Sequence, residues 1–180
     1  MEEPRLPRDT RTGSQLSQHA YSPNGSVPPP GWHVVKRAED PASGFGAVAY
    51  RNQKTGEVWV AYRGTNDLKD ISADAGLVAD QLPQSKLDTI HASPTLGRQV
   101  DQDRELFRRQ VDQAREFTDS VRRETGANDV HLTGHSLGGA LAQVEGARTG
   151  LPTDTYNAPG MQTFVKQHYP NAKVEQIHNH

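Results

Sequence analysis

The sequence contains no cysteine. This absence excludes a disulfide framework, a thiolate nucleophile and a metal site built from cysteine ligands. Long apolar runs are missing as well: mean hydropathy is −0.81, and nowhere does the chain have the about 18 consecutive apolar residues that a bilayer-spanning helix needs. The first ten residues carry Glu2 and Glu3 where a secretion signal has its apolar run. We therefore expect a soluble chain that is either cytoplasmic or exported by a specialised route.

An excess of charge of one sign is also lacking. The 20 basic and 22 acidic residues are intermingled along the chain and give a net charge of −2. No basic stripe that would suit a nucleic acid stands out, so we expect no nucleic-acid partner. The 180 residues are enough for one domain with a hydrophobic core.

Residues 1–31 differ in composition from the rest. They are polar, rich in Ser, Gln and Pro, and show neither a helical nor a strand period. This predicts a flexible arm over 1–31 that precedes one domain over 32–180. An extended polyproline segment that wraps the domain surface, or that presents a ligand to a partner, is the alternative.

Strand and helix patterns alternate within the domain. Apolar runs at 44–50 and 57–62 flank a turn and predict a hairpin. Apolar residues three or four apart predict a long amphipathic helix over 100–123 that ends at Gly126. The further predicted elements are a short helix between 67 and 87, strands at 130–133, 153–156 and 172–177, and helices at 137–148 and 161–167. Such alternation predicts an α/β fold with a mainly parallel sheet and helices on both faces.

The segment 134–138 is a G-x-S-x-G motif between a predicted strand and a predicted helix. Glycines at 134 and 138 let the chain reverse from strand to helix in little space, which leaves Ser136 in a strained backbone conformation with its hydroxyl exposed. The helix that starts after Ser136 directs the Leu137 N–H at a reacting carbonyl, where it can hold an oxyanion. The alternative is a strand-to-helix turn that uses Gly and Ser for shape alone.

The ten residues 133–142 resemble the nucleophile motif of the class 3 (fungal-type) lipases. Three further segments resemble that family in the family's order: 58–65, which ends in Arg-Gly-Thr, then 70–74 and 156–160. The resemblance implies an α/β-hydrolase fold and the hydrolysis of acylglycerols, phospholipids or related esters. It also implies that Ser136 is the nucleophile and that Thr65 contributes oxyanion-hole donors beside Leu137, without a metal or organic cofactor.

Two residues near the Arg-Gly-Thr segment also have structural interpretations. Taken alone, Thr65 is typical of a strand-end residue that caps a turn. Its position in the segment that resembles the family favours a role in the oxyanion hole. Arg63 is expected to pair with Asp70 or Asp74 without a catalytic role. Ile71 stands where an aromatic residue is common in the family.

The triad of an α/β hydrolase runs in the order serine, acid, histidine. The acidic residues and histidines that follow Ser136 are Glu145, Asp154, Glu175, His168, His178 and His180. None of the three carboxylates is predicted to orient a histidine. By resemblance, the acid follows the strand at 172–177 and the histidine comes later, so we expect the 180 residues to be the amino-terminal part of a longer protein with its acid and base beyond His180. A rewired triad that uses His178 or His180 is the alternative.

The sequence therefore predicts a serine-dependent hydrolase of lipid or phospholipid acyl esters. Its expected partners are the ester substrate and a membrane surface in transient contact. A protein partner, such as an inhibitor, is compatible with the sequence. The alternative is a catalytically incomplete lipase-like domain that binds a lipid or a protein. His33, His91, His131 and His135 are expected to be structural.

Overall fold

One six-stranded sheet organises the chain, with the strands in sequential order. The computed structural model describes residues 10–22, 24–64 and 79–180. The strands are β1 (Trp32–Asp40), β2 (Phe45–Asn52), β3 (Val58–Arg63), β4 (Val130–His135), β5 (Thr153–Tyr156) and β6 (Ile177–Asn179). The helices are α1 (Thr10–His19), α2 (Gln84–His91), α3 (Pro94–Thr125), α4 (Leu137–Thr149) and α5 (Gln162–His168). Among the described residues, no helix combines the length and the apolar composition that crossing a membrane requires.

The sheet is antiparallel at one edge and parallel elsewhere. β1, β2 and β3 pair antiparallel, whereas β3, β4, β5 and β6 run parallel. The predicted hairpin is confirmed as β2 and β3, and the Asn52 side chain closes its turn by accepting from the backbone N–H of Lys54 at 2.9 Å and of Thr55 at 3.1 Å. The predicted α/β fold with a mainly parallel sheet is thus confirmed.

Both faces of the sheet are buried, because alternate residues of its strands enter different cores. In β3, Val58, Val60 and Tyr62 join the core that the helices α3, α4 and α5 cover. Trp59 and Ala61 point the other way. They join a second cluster with Leu16 and Ala20 of the amino-terminal segment and with Val48 and Tyr50 of β2.

The prediction of a flexible arm over 1–31 is wrong for the described part of that segment. Residues 10–19 form α1, and Leu16 and Ala20 are fully buried against the sheet. Gly13 allows α1 to pack close to the sheet, because a Cβ there would lie 2.8 Å from the hydroxyl oxygen of Tyr156. A helix of ten residues is marginal on its own, so α1 depends on its tertiary contacts, and few apolar residues in this polar segment indicated them.

Other elements also differ from the prediction. β1 was not predicted, because five polar residues interrupt the apolar ones in this edge strand and its residues are half-buried or exposed without a regular alternation. The last strand is β6 at 177–179 rather than 172–177, because the N–H of Ala172 and of Ile177 instead bond to carbonyls three residues earlier. The first part of the predicted helix between 67 and 87 lies outside the described residues.

The long helix begins earlier than predicted, at Pro94, and ends where predicted. Ser93 precedes it as N-cap, and proline is favourable in the first turn because its missing N–H has no intrahelical acceptor there. Gly126 closes the helix in the left-handed conformation with φ of 60°. After Gly126 the chain enters β4, which leads into the G-x-S-x-G motif.

Candidate active site

Ser136 occupies a sharp turn between β4 and α4. Its φ of 53° and ψ of −124° lie outside the regions that non-glycine residues ordinarily adopt. The turn is held on both sides, because the Ser136 N–H donates to the Tyr156 carbonyl at 3.0 Å and the Ser136 carbonyl accepts from the Ala140 N–H at 3.1 Å. The strain is therefore imposed by β5 and by the first turn of α4.

The two motif glycines are required by close backbone contacts. A Cβ on Gly134 would lie 2.3 Å from the carbonyl oxygen of Gly138, and a Cβ on Gly138 would lie 2.2 Å from that of Tyr62. No real Cβ approaches a backbone oxygen so closely. The glycines thus allow α4 to start directly over the ends of β3 and β4, as the motif predicts.

Leu137, one of the two predicted oxyanion-hole residues, lies where β3 ends beside α4. A Cβ on Gly64 would be 2.6 Å from Leu137 Cβ, so the chain leaving β3 passes directly beside the first residue of α4. The N–H groups of this first helical turn have no intrahelical acceptor, and the helix dipole makes the position electropositive. Thr65, the residue after Gly64, lies outside the described residues.

The loop that follows β5 is fixed by Asn179, which sequence reasoning missed. Its Oδ1 accepts from the Thr155 hydroxyl at 2.9 Å and from the Ala158 N–H at 3.3 Å, while its Nδ2 donates to the Ala158 carbonyl at 2.9 Å. Asn157, in this loop, has a positive φ of 49°. An Asn beside the two histidines at the end of the chain carried no signal of this role.

Gln143 holds the other end of the same loop. Its Nε2 donates to the Pro159 carbonyl at 3.0 Å, and its Oε1 accepts from the Met161 N–H at 3.2 Å. The available signal was a long polar side chain within an otherwise apolar buried stretch of α4. Gln143 and Asn179 thus fix the loop that follows β5. The last residue of β5, Tyr156, supplies the carbonyl that accepts from the Ser136 N–H.

Asp154 does orient a histidine, contrary to the prediction. Its side chain is 3% exposed, and Oδ1 lies 3.2 Å from Nε2 of His180. The His180 ring stacks on Tyr156 at 5.3 Å, and its backbone N–H donates to the Thr155 carbonyl at 2.8 Å. The prediction failed because it placed the last strand five residues too early, whereas the observed register pairs Asp154 with His178 and sets His180 on the same face.

The remaining acid and base candidates lie elsewhere. Glu145 is buried in α4, where its carboxylate pairs with Arg148 at 2.8 Å. Glu175 is exposed in the loop before β6, and His168 stacks on Phe164 at 4.2 Å. Within residues 10–22, 24–64 and 79–180, no hydrogen bond joins the Ser136 hydroxyl to a histidine ring.

One cluster of metal-ligating side chains occurs among the described residues, at the opposite end of the parallel strands. Glu57, Asp129 and His131 offer ligand atoms within 4.8 Å of one another. These groups already bond to neighbours: His131 Nε2 lies 2.7 Å from Asp129 Oδ1, and Glu57 Oε1 accepts from the Trp59 indole at 2.6 Å. His131 therefore has a structural role, as expected, although with a partner pattern that the sequence did not reveal.

Arg63 has a partner different from the predicted ones. Its guanidinium pairs with Glu39 of β1. Asp70 and Asp74, which the sequence proposed, lie outside the described residues. The ion pair ties β1 to the end of β3, which supports a structural role for Arg63.

Comparison with known proteins confirms the resemblance to lipases. The Tle-like phospholipase domain matches residues 96–179, a segment of 84 among 180 residues that includes the serine turn. A segment of 45 residues is 53% identical to the "Putative lipase ATG15" of Lodderomyces elongisporus, and it covers 24% of this chain and 8% of that protein.

Solved structures of lipases share the fold. The Lip2 lipase of Yarrowia lipolytica superposes with a TM-score of 0.52 at 18% identity, over 83% of this chain and 57% of that one. Lipase II of Rhizopus niveus gives 0.52 at 15% identity, over 83% and 61%. The chain therefore has the α/β-hydrolase fold of class 3 lipases and spans little more than half the length of these two.

Proposed function

We propose that this protein is a serine-dependent carboxylic-ester hydrolase that acts on lipid or phospholipid acyl esters, with Ser136 as its nucleophile. The observation that carries the proposal is the strained backbone of Ser136, at φ 53° and ψ −124° between β4 and α4. Glycine adopts a positive φ without this cost, so a turn made for shape alone has no need of serine. A serine held there by its neighbours supports a role for its hydroxyl.

The reaction proceeds through an acyl-enzyme. Ser136 Oγ attacks the ester carbonyl carbon while its proton passes to a histidine base, and the carbonyl oxygen becomes an oxyanion. The Leu137 N–H, with the N–H and hydroxyl of Thr65, stabilises that charge; one such donor is typically worth about 3 kcal/mol. The tetrahedral intermediate expels the alcohol, which takes the proton from the histidine, and water then hydrolyses the acyl-enzyme by the same steps. This chemistry requires neither a metal nor an organic cofactor.

The base has two candidate sources that an experiment separates. His180 has a buried carboxylate partner in Asp154, and both follow Ser136 in the chain. The other source is any sequence that follows His180 in a longer protein. Substituting His180 in both lengths of protein distinguishes these sources.

The substrate class rests on the similarity to lipases and to the Tle-like phospholipase domain. Because acylglycerols and phospholipids reside in membranes and lipid droplets, we extend the proposal to transient contact with a lipid surface. A second candidate function is a lipase-like domain that binds a lipid or a protein without turnover. Serine labelling separates the two candidates.

The test is labelling with a fluorophosphonate, which reacts with an activated serine. In the length of protein that carries the histidine base, we expect the wild type to be labelled, Ser136→Ala to be unlabelled and Ser120→Ala to be labelled like the wild type. Ser120 is the matched control because its hydroxyl bonds only locally, to the Phe117 carbonyl of α3. Hydrolysis of short and long p-nitrophenyl esters and of a phospholipid then defines the substrate.

Each outcome of this test has a defined meaning. Labelling that survives in Ser136→Ala contradicts the assigned nucleophile. Absence of labelling from both this chain and the protein expressed with any following sequence supports the binding domain. Labelling of the longer protein that persists in His180→Gln places the base beyond His180, whereas its loss in that variant assigns the base to His180.

A further inference from the structure

Tyr21 reaches the serine turn from the opposite end of the sequence. It lies two residues after α1, and its hydroxyl donates to the carbonyl of His135 at 3.1 Å. Its ring contacts the His135 ring edge to face, with centroids 6.4 Å apart at 84°. His135 directly precedes Ser136, so this contact acts on the backbone that carries the nucleophile.

The surroundings of this hydroxyl keep it able to donate. Burial raises the pKa of the Tyr21 hydroxyl, and the backbone of Gly64 and the charge of Arg63 oppose the shift. The hydroxyl therefore stays protonated through the neutral range, where it donates to the His135 carbonyl.

This contact lies where the strand pairing stops. The register between β3 and β4 ends at Tyr62 and Gly134. His135 therefore lies beyond the last pair of that ladder, and the Tyr21 hydroxyl bonds to its carbonyl there.

The docking of α1 fixes the position of Tyr21. The Thr133 hydroxyl donates to the Gly13 carbonyl at 3.2 Å, and His19 Nδ1 lies 2.7 Å from the Tyr50 hydroxyl. Leu16 is buried between these two contacts. α1 is thus held at both ends against the sheet, and the tyrosine that follows it has a defined place.

We propose that Tyr21 is a positioning residue of the active site, whose hydroxyl fixes the His135 carbonyl and with it the backbone that carries Ser136. The inference rests on the proposed function, in which Ser136 is the nucleophile. Misplacement of a reacting group by a fraction of a bond length slows the chemical step without weakening substrate binding. Tyr21 therefore acts on the rate of reaction rather than on affinity.

The test compares Tyr21→Phe with the wild type and with Tyr169→Phe. Both variants remove one hydroxyl from a half-buried tyrosine, but Tyr169 packs against the core on the other face of the sheet from α1. We measure the concentration dependence of Ser136 phosphonylation in the length of protein that the label modifies. Loss of one hydrogen bond that acts in the transition state predicts a fall of about fivefold in the maximal rate for Tyr21→Phe. The half-saturating concentration stays unchanged in both variants, and Tyr169→Phe keeps the wild-type rate.

Amide hydrogen exchange tests the contact independently of reactivity. In Tyr21→Phe we expect faster exchange in 135–138, and in Tyr169→Phe no change there. Equal phosphonylation rates in Tyr21→Phe and wild type overturn the inference while leaving the nucleophile assigned. If no length of the protein is labelled, the proposed function fails instead, and unchanged exchange in 135–138 then overturns the positioning role as well.

Discussion

The Cα of Gly138 faces the carbonyl oxygen of Tyr62 so closely that an added Cβ would lie 2.2 Å from that oxygen. The contact joins the first turn of α4 to the end of β3, and both partners are backbone atoms. Neither can rotate away as a side chain can. The spacing between the serine turn and the strand that leads to Thr65 therefore depends on the absence of a single methyl group.

Gly138→Ala is accordingly expected to destabilise the protein strongly. Forcing a methyl group into a packed backbone contact typically costs about 1–3 kcal/mol, and the rigidity of both partners favours the upper end. Gly126→Ala is the control, because Gly126 has open space around it and only its φ of 60° opposes a side chain. That strain costs about 1 kcal/mol. Urea unfolding measures both values, and a smaller loss for Gly138→Ala than for Gly126→Ala contradicts the close contact.

Ser136→Gly is expected to stabilise the protein while abolishing labelling by the fluorophosphonate. Glycine relieves the strain of a φ of 53°, which for a non-glycine residue is of the order of 1 kcal/mol or more. Glycine also adds conformational entropy to the unfolded chain, which offsets part of this gain. Ser136→Ala keeps the strain and serves as the control. Thermal unfolding should give a higher Tm for Ser136→Gly than for Ser136→Ala, and equal or reversed values would show that the turn is not strained.

The serine turn was predictable because its causes are local. A glycine on either side of Ser136, between a β-branched strand and an alanine-rich helix, is visible in ten consecutive residues. The Gly126 helix end and the β2–β3 hairpin are equally local. They require only a left-handed residue or a tight turn, and both predictions are confirmed.

What failed depends on contacts between distant residues. α1 has Leu16 as its one strongly apolar residue and is held by the sheet through Leu16 and Gly13. The Asp154–His180 pair depends on the register of β5 and β6, which the sequence does not encode in any short pattern. The contacts of Tyr21 with His135 span 114 residues. Local periodicity in the sequence therefore does not predict the register of strands that are distant in the chain, or the docking of a helix against a sheet.

His91 and Asp101 offer a pH-dependent contact away from the active site. His91 Nε2 lies 2.9 Å from Asp101 Oδ1. The hydrogen bond to Asp101 is the main cause that raises the pKa of His91, and the bond to the Leu87 carbonyl adds to it. The protonated ring is thus favoured in the folded state, so its stabilising effect is complete below the unfolded pKa, about 6.5, and is lost as pH rises through the higher folded value.

Asp101→Asn is therefore expected to lower the pKa of His91. An NMR titration of the ring protons measures the shift in the wild type and in the variant. Asp88→Asn is the control, since Asp88 accepts a hydrogen bond from Gln84 in the same helix rather than from the His91 ring. An unchanged pKa in Asp101→Asn would contradict the pairing of this carboxylate with His91.

Asn179 makes three hydrogen bonds that fix the loop after β5, two as an acceptor through Oδ1 and one as a donor through Nδ2. Asn179→Ala removes all three and is expected to destabilise the protein by about 1–3 kcal/mol. Asn179→Asp keeps the two acceptor contacts with the Thr155 hydroxyl and the Ala158 N–H and loses only the donor to the Ala158 carbonyl. The predicted order of stability is wild type, Asn179→Asp, Asn179→Ala, and urea unfolding measures it.

The rate of serine labelling should follow the same order, because this loop adjoins the Tyr156 carbonyl that holds the Ser136 N–H. A labelling rate unchanged in Asn179→Ala would show that the loop does not position the nucleophile.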